Sequence, residues 1–239
     1  KLDLKNNREL LNTIVKTMGS YIDEALNKEN TLKMKFLAAH MEHMLGQSLM
    51  NLSMRESLQG KLGHIYYYLN DYSKAKDLLE KTLSELKGQN TEYEKIAETL
   101  MYLGDVYSVL SDYEKARNLS QESVEIYQNH LPKDYLGTAK AFAYLGNVYR
   151  RLGNYEKAKE LCEQSLEIYK QHNLQNSIKF AWTLAHLGQA YKELGNYDKA
   201  QSFLEESLRI YKEKSPDNYL REAWVLGHLG SVYRELGEF

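Results

Sequence analysis

One pentapeptide, Leu-Gly-x-x-Tyr, recurs along the chain as LGHIY at Leu62, LGDVY at Leu103, LGNVY at Leu145, LGQAY at Leu187 and LGSVY at Leu229. Successive copies are 41, 42, 42 and 42 residues apart. A second motif keeps the same register about nine residues later: Asp71–Ala75, Asp112–Ala116, Asn154–Ala158 and Asn196–Ala200, each with Tyr second, Lys fourth and Ala last. A fixed period of this length confines the chain to stacked copies of one small unit, because each unit buries its apolar face only against its neighbours.

Each unit reads as two helices. In the first, Phe142, Leu145 and Tyr149 recur at i, i+3 and i+7, one face of a 3.6-residue period. Gly146 lets the second helix approach closely. In Leu152-Gly153-Asn154-Tyr155 the glycine takes the left-handed position that ends one helix, and the asparagine caps the next. Leu194-Gly195-Asn196-Tyr197 repeats this, whereas Asn70 and Ser111 replace the glycine in earlier units; asparagine tolerates that conformation and serine does so less well. Ala158, Leu161, Ser165, Leu166 and Tyr169 mark the packed side of the second helix. The prediction is an all-α, right-handed α-solenoid of antiparallel helix pairs.

The spaced Leu-Gly, Tyr and Ala positions resemble the signature of tetratricopeptide repeats. The 42-residue period, longer than the family's usual repeat, resembles the kinesin light chain subclass and the arrays attached to STAND-type signalling NTPases. The resemblance covers Arg55–Phe239, about three quarters of the chain. The family's customary proline at the end of a repeat is mostly absent, and Pro132 and Pro216 fall instead in the loops between repeats. The extra residues are assigned to longer second helices.

Residues 1–52 carry a weaker pattern, with Met18-Gly19 and Ile22 standing where Leu-Gly and Tyr would be. Met34, Leu37, Ala38, Met41, Met44 and Leu45 would line a second helix. This segment is read as a degenerate capping repeat, with a helical linker as the rival, and 53–239 as four full repeats and a truncated fifth. The first residue is not Met, and Phe239 occupies the place of Tyr72, Tyr113, Tyr155 and Tyr197, before a second helix begins. The expectation is a piece of a longer polypeptide, able to self-associate through an exposed C-terminal repeat.

Composition narrows the function. Lys+Arg 31 against Asp+Glu 33 gives a net charge of −2, without the basic excess of a nucleic-acid binder. A single cysteine, Cys162, excludes an internal disulfide framework and fits a reducing compartment. No run approaches the roughly 18 apolar residues of a membrane span, and no signal-peptide core follows Lys1–Arg8. A cytoplasmic protein without membrane or nucleic-acid partners is expected. No phosphate-cradling loop is present, since each glycine serves a helix contact or a helix end, so neither catalytic residues nor a cofactor are expected.

Helical geometry picks out the face that remains. With the repeat Leu as zero and about 100° per residue, offsets −3, +1 and +4 face the partner helix, while −5, −2, −1, +2, +5 and +6 lie opposite. Those offsets hold His64, Tyr67 and Tyr68; Glu98, Met101, Tyr102 and Asp105; and Lys140, Tyr144, Asn147, Arg150 and Arg151. The last two units add Trp182, His186, Gln189 and Lys192, then Trp224, His228, Ser231 and Arg234. The family resemblance implies that this side lines a concave groove for a peptide, and the kinesin-light-chain likeness implies an acidic one, placed near Lys140, Arg150 and Arg151 with Tyr144 and Asn147 beside it. The carboxylate clamp of chaperone-binding relatives is not reproduced, since its Lys/Asn pair would be Gly60 and His64. Two other roles stay open: a ligand-sensing regulatory domain of a STAND-type NTPase and a self-associating scaffold.

Each residue also has a plainer role. Tyr66, Tyr107, Tyr149, Tyr191 and Tyr233 are repeat consensus and core; Tyr102 and Tyr144 are half-buried spacers or groove residues; Trp182 and Trp224 stack between repeats. Arg150 and Arg151 could pair with Glu193 or Asp105. His40 and His43 have metal-ligand spacing without a third ligand, so no metal is expected, and Cys162 is a buried, inert thiol.

Overall fold

The turn inside each repeat is a two-residue device. In the computed structural model Gly153 stands at φ +79° and Gly195 at +75°, and Asn70 (60°) and Ser111 (66°) adopt the same left-handed conformation. The next residue closes the preceding helix and opens the following one. Asn154 donates its backbone N–H to Tyr149 O at 2.9 Å, while its side chain accepts from Lys157 N at 3.1 Å. Asp71, Asp112 and Asn196 do the same. One residue, through its backbone N–H and its side-chain oxygen, therefore satisfies orphan groups at two helix ends, which holds the pair folded back antiparallel.

The structure describes residues 4–46, 52–88, 92–216 and 219–237. Among them are eleven helices and no strand, none of the helices long and apolar enough to cross a membrane. They form two compact units dividing at residues 89 and 90.

The first unit holds α1 (Leu4–Asn27), α2 (Thr31–Leu45), α3 (Leu52–Tyr68) and α4 (Tyr72–Lys87). Ile22 and Ala25 of α1 are buried, as are Met34, Ala38 and Met41 of α2; Leu37, Met44 and Leu45 are half-buried. The repeat turn recurs here with Glu29 at φ +48° and Asn30 as cap. Gly19 differs from its counterparts: a Cβ there would meet only Lys61 Nζ of α3, at 3.8 Å.

The second unit holds α5 (Tyr93–Val109), α6 (Tyr113–His130), α7 (Tyr135–Arg151), α8 (Tyr155–Gln171), α9 (Ile178–Glu193), α10 (Tyr197–Lys214) and α11 (Tyr219–Leu236). First helices run 16–18 residues and second helices 17–18, so the length beyond an ordinary repeat is shared by both rather than carried by the second alone. Within a repeat the two helices touch through the motif glycine. A Cβ on Gly146 would lie 2.9 Å from Cys162 Sγ, and one on Gly188 would lie 2.8 Å from Leu204 Cγ. A serine then crosses from second helix to first: Ser123, Ser165 and Ser207 donate to Ala97 O, Ala139 O and Ala181 O, each at 2.7 Å. Between repeats Val124, Tyr127, Leu145 and Leu161 close one apolar cluster, each fully buried aliphatic contributing on the order of 1.5–3 kcal/mol.

Candidate functional site

The first helices of the second unit, α5, α7, α9 and α11, stack side by side, and the face predicted for ligand binding runs across them. That face is more tightly packed than helix periodicity alone indicates. Tyr102, Tyr144, Trp182 and His186 are 2–5 % exposed. Their rings form a continuous column: Tyr102 to Tyr144 at 5.5 Å, Tyr144 to Trp182 at 4.6 Å, Trp182 to His186 at 4.1 Å, His186 to Trp224 at 5.3 Å and Trp224 to His228 at 5.0 Å between centroids. Tilted and edge-on geometries dominate, as ring quadrupoles favour.

Polar groups run alongside. Asn147 donates to the buried Asp105 carboxylate at 2.7 Å and accepts from Arg150 at 3.0 Å. Asp105 and Asn147 occupy the same repeat position one period apart, and that equivalence is the sequence signal which could have revealed the pair. Arg150 is half-buried and its Nε has no hydrogen-bond partner. Burial, then the charge of Arg151, pushes its pKa down, while Asp105 opposes that shift. Gln189 is buried and donates to Ala185 O at 3.4 Å; Lys192 donates to Ser231 Oγ at 3.3 Å and pairs with Glu193 at 3.2 Å. Lys140 is half-buried, and Arg151 and Arg234 are exposed.

The histidines report a positive field. Burial, followed by Arg150, Arg151 and Arg221, holds His186 well below the usual imidazole range. His228 is lowered to about 4 by burial, Arg150 and Lys192, against an opposing effect from Glu193. Both are neutral imidazoles near pH 7.

In the first unit His64, Tyr67 and Tyr68 are also buried, and Tyr67 meets Tyr68 edge-on at 5.1 Å. Sequence reading did not foresee the cluster nearby, in which Tyr66 donates to Glu42 and Lys74 lies 3.2 Å from both oxygens and 4.6 Å above the Tyr66 ring. His40 meets Phe36 O at 2.9 Å, and no group of three metal-ligating side chains occurs among the described residues. Cys162 is buried against Gly146, and burial pushes its thiol up to about 12.

A family model described as tetratricopeptide repeat matches residues 95–171 and 179–239, and a second of the same description matches 57–84. This chain belongs to the tetratricopeptide repeat family. No curated protein sequence matches it. Solved tetratricopeptide-like folds do. BtubC (BKLC) from P. vanneervenii is 18% identical, with 93% of this chain and 85% of that one covered and a TM-score of 0.62. The nearly identical TPR-like repeats of a Podosopora anserina kinesin light chain are 19% identical over 85% of this chain and 95% of that one, with a TM-score of 0.54. A Rap protein complexed with Competence and Sporulation Factor is 15% identical over 94% and 72%, with a TM-score of 0.64. These likenesses are to the solenoid fold. Tetratricopeptide repeats are a protein-interaction scaffold, and this array is a module of that kind.

Proposed function

We propose that the face formed by α5, α7, α9 and α11 binds an acidic peptide segment of a protein partner, with its carboxylates beside Lys140, Arg150 and Arg151. The observation that carries this reading is the seating of Arg150. Asn147, itself held by Asp105, fixes the guanidinium, so a carboxylate would meet an arginine already oriented and partly desolvated. Arg151 and Lys140 extend the positive field, and the aromatic column beneath supplies a rigid floor that loses little entropy on binding. The Rap protein complexed with Competence and Sporulation Factor supports the reading, since it is an array of this fold with a factor bound.

The test compares a dye-labelled glutamate-rich peptide with a lysine-rich one of equal length, binding to the whole chain and to an Arg150→Glu/Arg151→Glu variant shown by circular dichroism to be folded. Expected is a preference for the acidic peptide that fades with added salt and falls at least tenfold in the variant. Equal affinity of parent and variant for the acidic peptide would remove the proposal. Arg151→Glu alone, at an exposed site, gives a smaller loss in the same direction.

A further inference from the structure

Three first helices send polar side chains toward one place on their shared face. Arg150 of α7 and Lys192 of α9 hold one repeat position, 42 residues apart, and His186 and His228 hold another. With Ser231, these positions span about 120° of a helix surface at 100° per residue. The side chains do not each stay on their own repeat. Lys192 crosses from α9 to α11, where it donates to Ser231 Oγ at 3.3 Å. Ser231 follows His228 by three residues and so shares its side of α11. His186 of α9 reaches Trp224 of α11 at 5.3 Å between ring centroids, and Trp224 meets His228 at 5.0 Å. The Arg150 guanidinium, tied to Asn147 at 3.0 Å, lies near enough to α9 and α11 for its charge to bear on both imidazoles.

This convergence leaves an imbalance of charge. Arg150, Arg151, Arg221 and Lys192 are the cations that act on the two histidines. The carboxylates that act on Arg150 are Asp105 and Glu193, so two positive charges are in excess. Asp105 is buried and accepts from Asn147, which leaves Glu193 as the exposed one of the two. A single carboxylate would fill the fork of Arg150 and satisfy one charge. A phosphate monoester carries about two charges near pH 7, on three acceptor oxygens that point in different directions. Arg150, Lys192 and His228 supply a fixed guanidinium, an ammonium with three N–H donors and a ring N–H from three different helices. All three are half-buried, within reach of a ligand yet partly desolvated, where charge-assisted hydrogen bonds strengthen.

We propose that Arg150, Lys192 and His228 form the seat for the phosphate of a phosphorylated residue in the partner segment. The proposal rests on the reading that an acidic peptide lies across this face, and it narrows that peptide to one whose charge is concentrated on a phosphate. Arg151 and Arg221 add to the field from the margin. Glu193, 3.2 Å from Lys192, competes for the ammonium, so a dianion displaces it more readily than a single carboxylate does. The partner is therefore recognised in its phosphorylated state and released on dephosphorylation.

The experiment follows by anisotropy the binding of three dye-labelled acidic peptides to the whole chain. They share one sequence and differ only at the central residue, which is serine, phosphoserine or glutamate. Expected is phosphoserine binding roughly tenfold tighter than glutamate, a ratio that collapses toward one in Lys192→Gln. Arg150→Lys, which keeps the charge and loses the fork, lowers the ratio as well. Lys159→Gln removes the same charge from α8, outside this face, and keeps the ratio. Circular dichroism checks that each variant is folded. Equal affinity for the phosphoserine and glutamate peptides overturns the phosphate seat and leaves the acidic reading standing, whereas failure of all three peptides to bind removes both. A ratio unchanged in both Lys192→Gln and Arg150→Lys also overturns the assignment. So does inorganic phosphate that displaces the labelled peptide as effectively as unlabelled phosphoserine peptide, since the ligand would then be a free anion.

Discussion

The glycines of the recurring pentapeptide share one motif but not one environment, so the same substitution should have opposite signs at two of them. Gly→Ala inside a helix is worth about 1 kcal/mol of stabilisation, because alanine loses less backbone freedom on folding. At Gly230 nothing lies within 4 Å of the new methyl, and this gain stands undiminished. At Gly188 the methyl would be 2.8 Å from Leu204 Cγ and 3.1 Å from Ala200 O. Leu204 can turn away but a backbone carbonyl cannot, and overpacking of this kind costs about 1–3 kcal/mol. The net at Gly188 is a loss of about 0–2 kcal/mol, placing the two variants about 1–3 kcal/mol apart. For a chain of this size each kcal/mol moves the melting temperature by about 2–4 °C. Thermal and urea unfolding read the difference, and amide exchange in α11 and α9 localises it, since repeat arrays open in sections. Equal responses at the two positions, or a loss at Gly230→Ala, would refute this reading of the two glycine environments.

Other consequences are smaller in scale. Ser111 holds φ +66° where later repeats have glycine, so Ser111→Gly should raise stability by about 1 kcal/mol, visible as a higher melting temperature. His186 and His228 titrate lower in the folded chain than the 6.5 of an unperturbed imidazole, so the unfolded chain binds their protons first. Their stabilisation is present above about pH 6.5 and is lost as the pH falls toward 4; urea midpoints at pH 7 and pH 5 should differ, and His228→Gln should narrow the gap. Cys162, buried with its thiol raised to about 12, should resist a thiol reagent in the native protein and react at once in denaturant.

Most of the architecture was legible because its determinants are local. Gly153-Asn154 announces a left-handed residue and a cap, and the hydrogen bonds formed there are those the residue types require. Glu29 makes the same turn at φ +48° with only the Asn30 cap to signal it, since glutamate is not a residue that favours the left-handed conformation. The candidate face was legible in a weaker sense. Rotation about a helix axis places Tyr144 and Trp182 on one side, but whether their rings meet depends on the rotation between neighbouring repeats, which no single helix encodes. At 4.6 Å they do meet, and Tyr102 and Tyr144, read as half-buried spacers or groove residues, are buried in a packed column with cationic side chains at its margin.

That column contains both tryptophans of the chain, each against an imidazole. Tryptophan emission, excited beyond the tyrosine absorption band, therefore arises entirely from α9 and α11. Neutral imidazole quenches indole weakly and imidazolium strongly, so emission near neutral pH starts bright and dims on acidification as His228 takes up its proton. A segment settling across the column would alter the polarity around Trp224, the less buried of the two tryptophans. The repeat stack thus carries its own optical gauge at the face where a ligand is proposed to lie, and an unlabelled chain can be titrated directly.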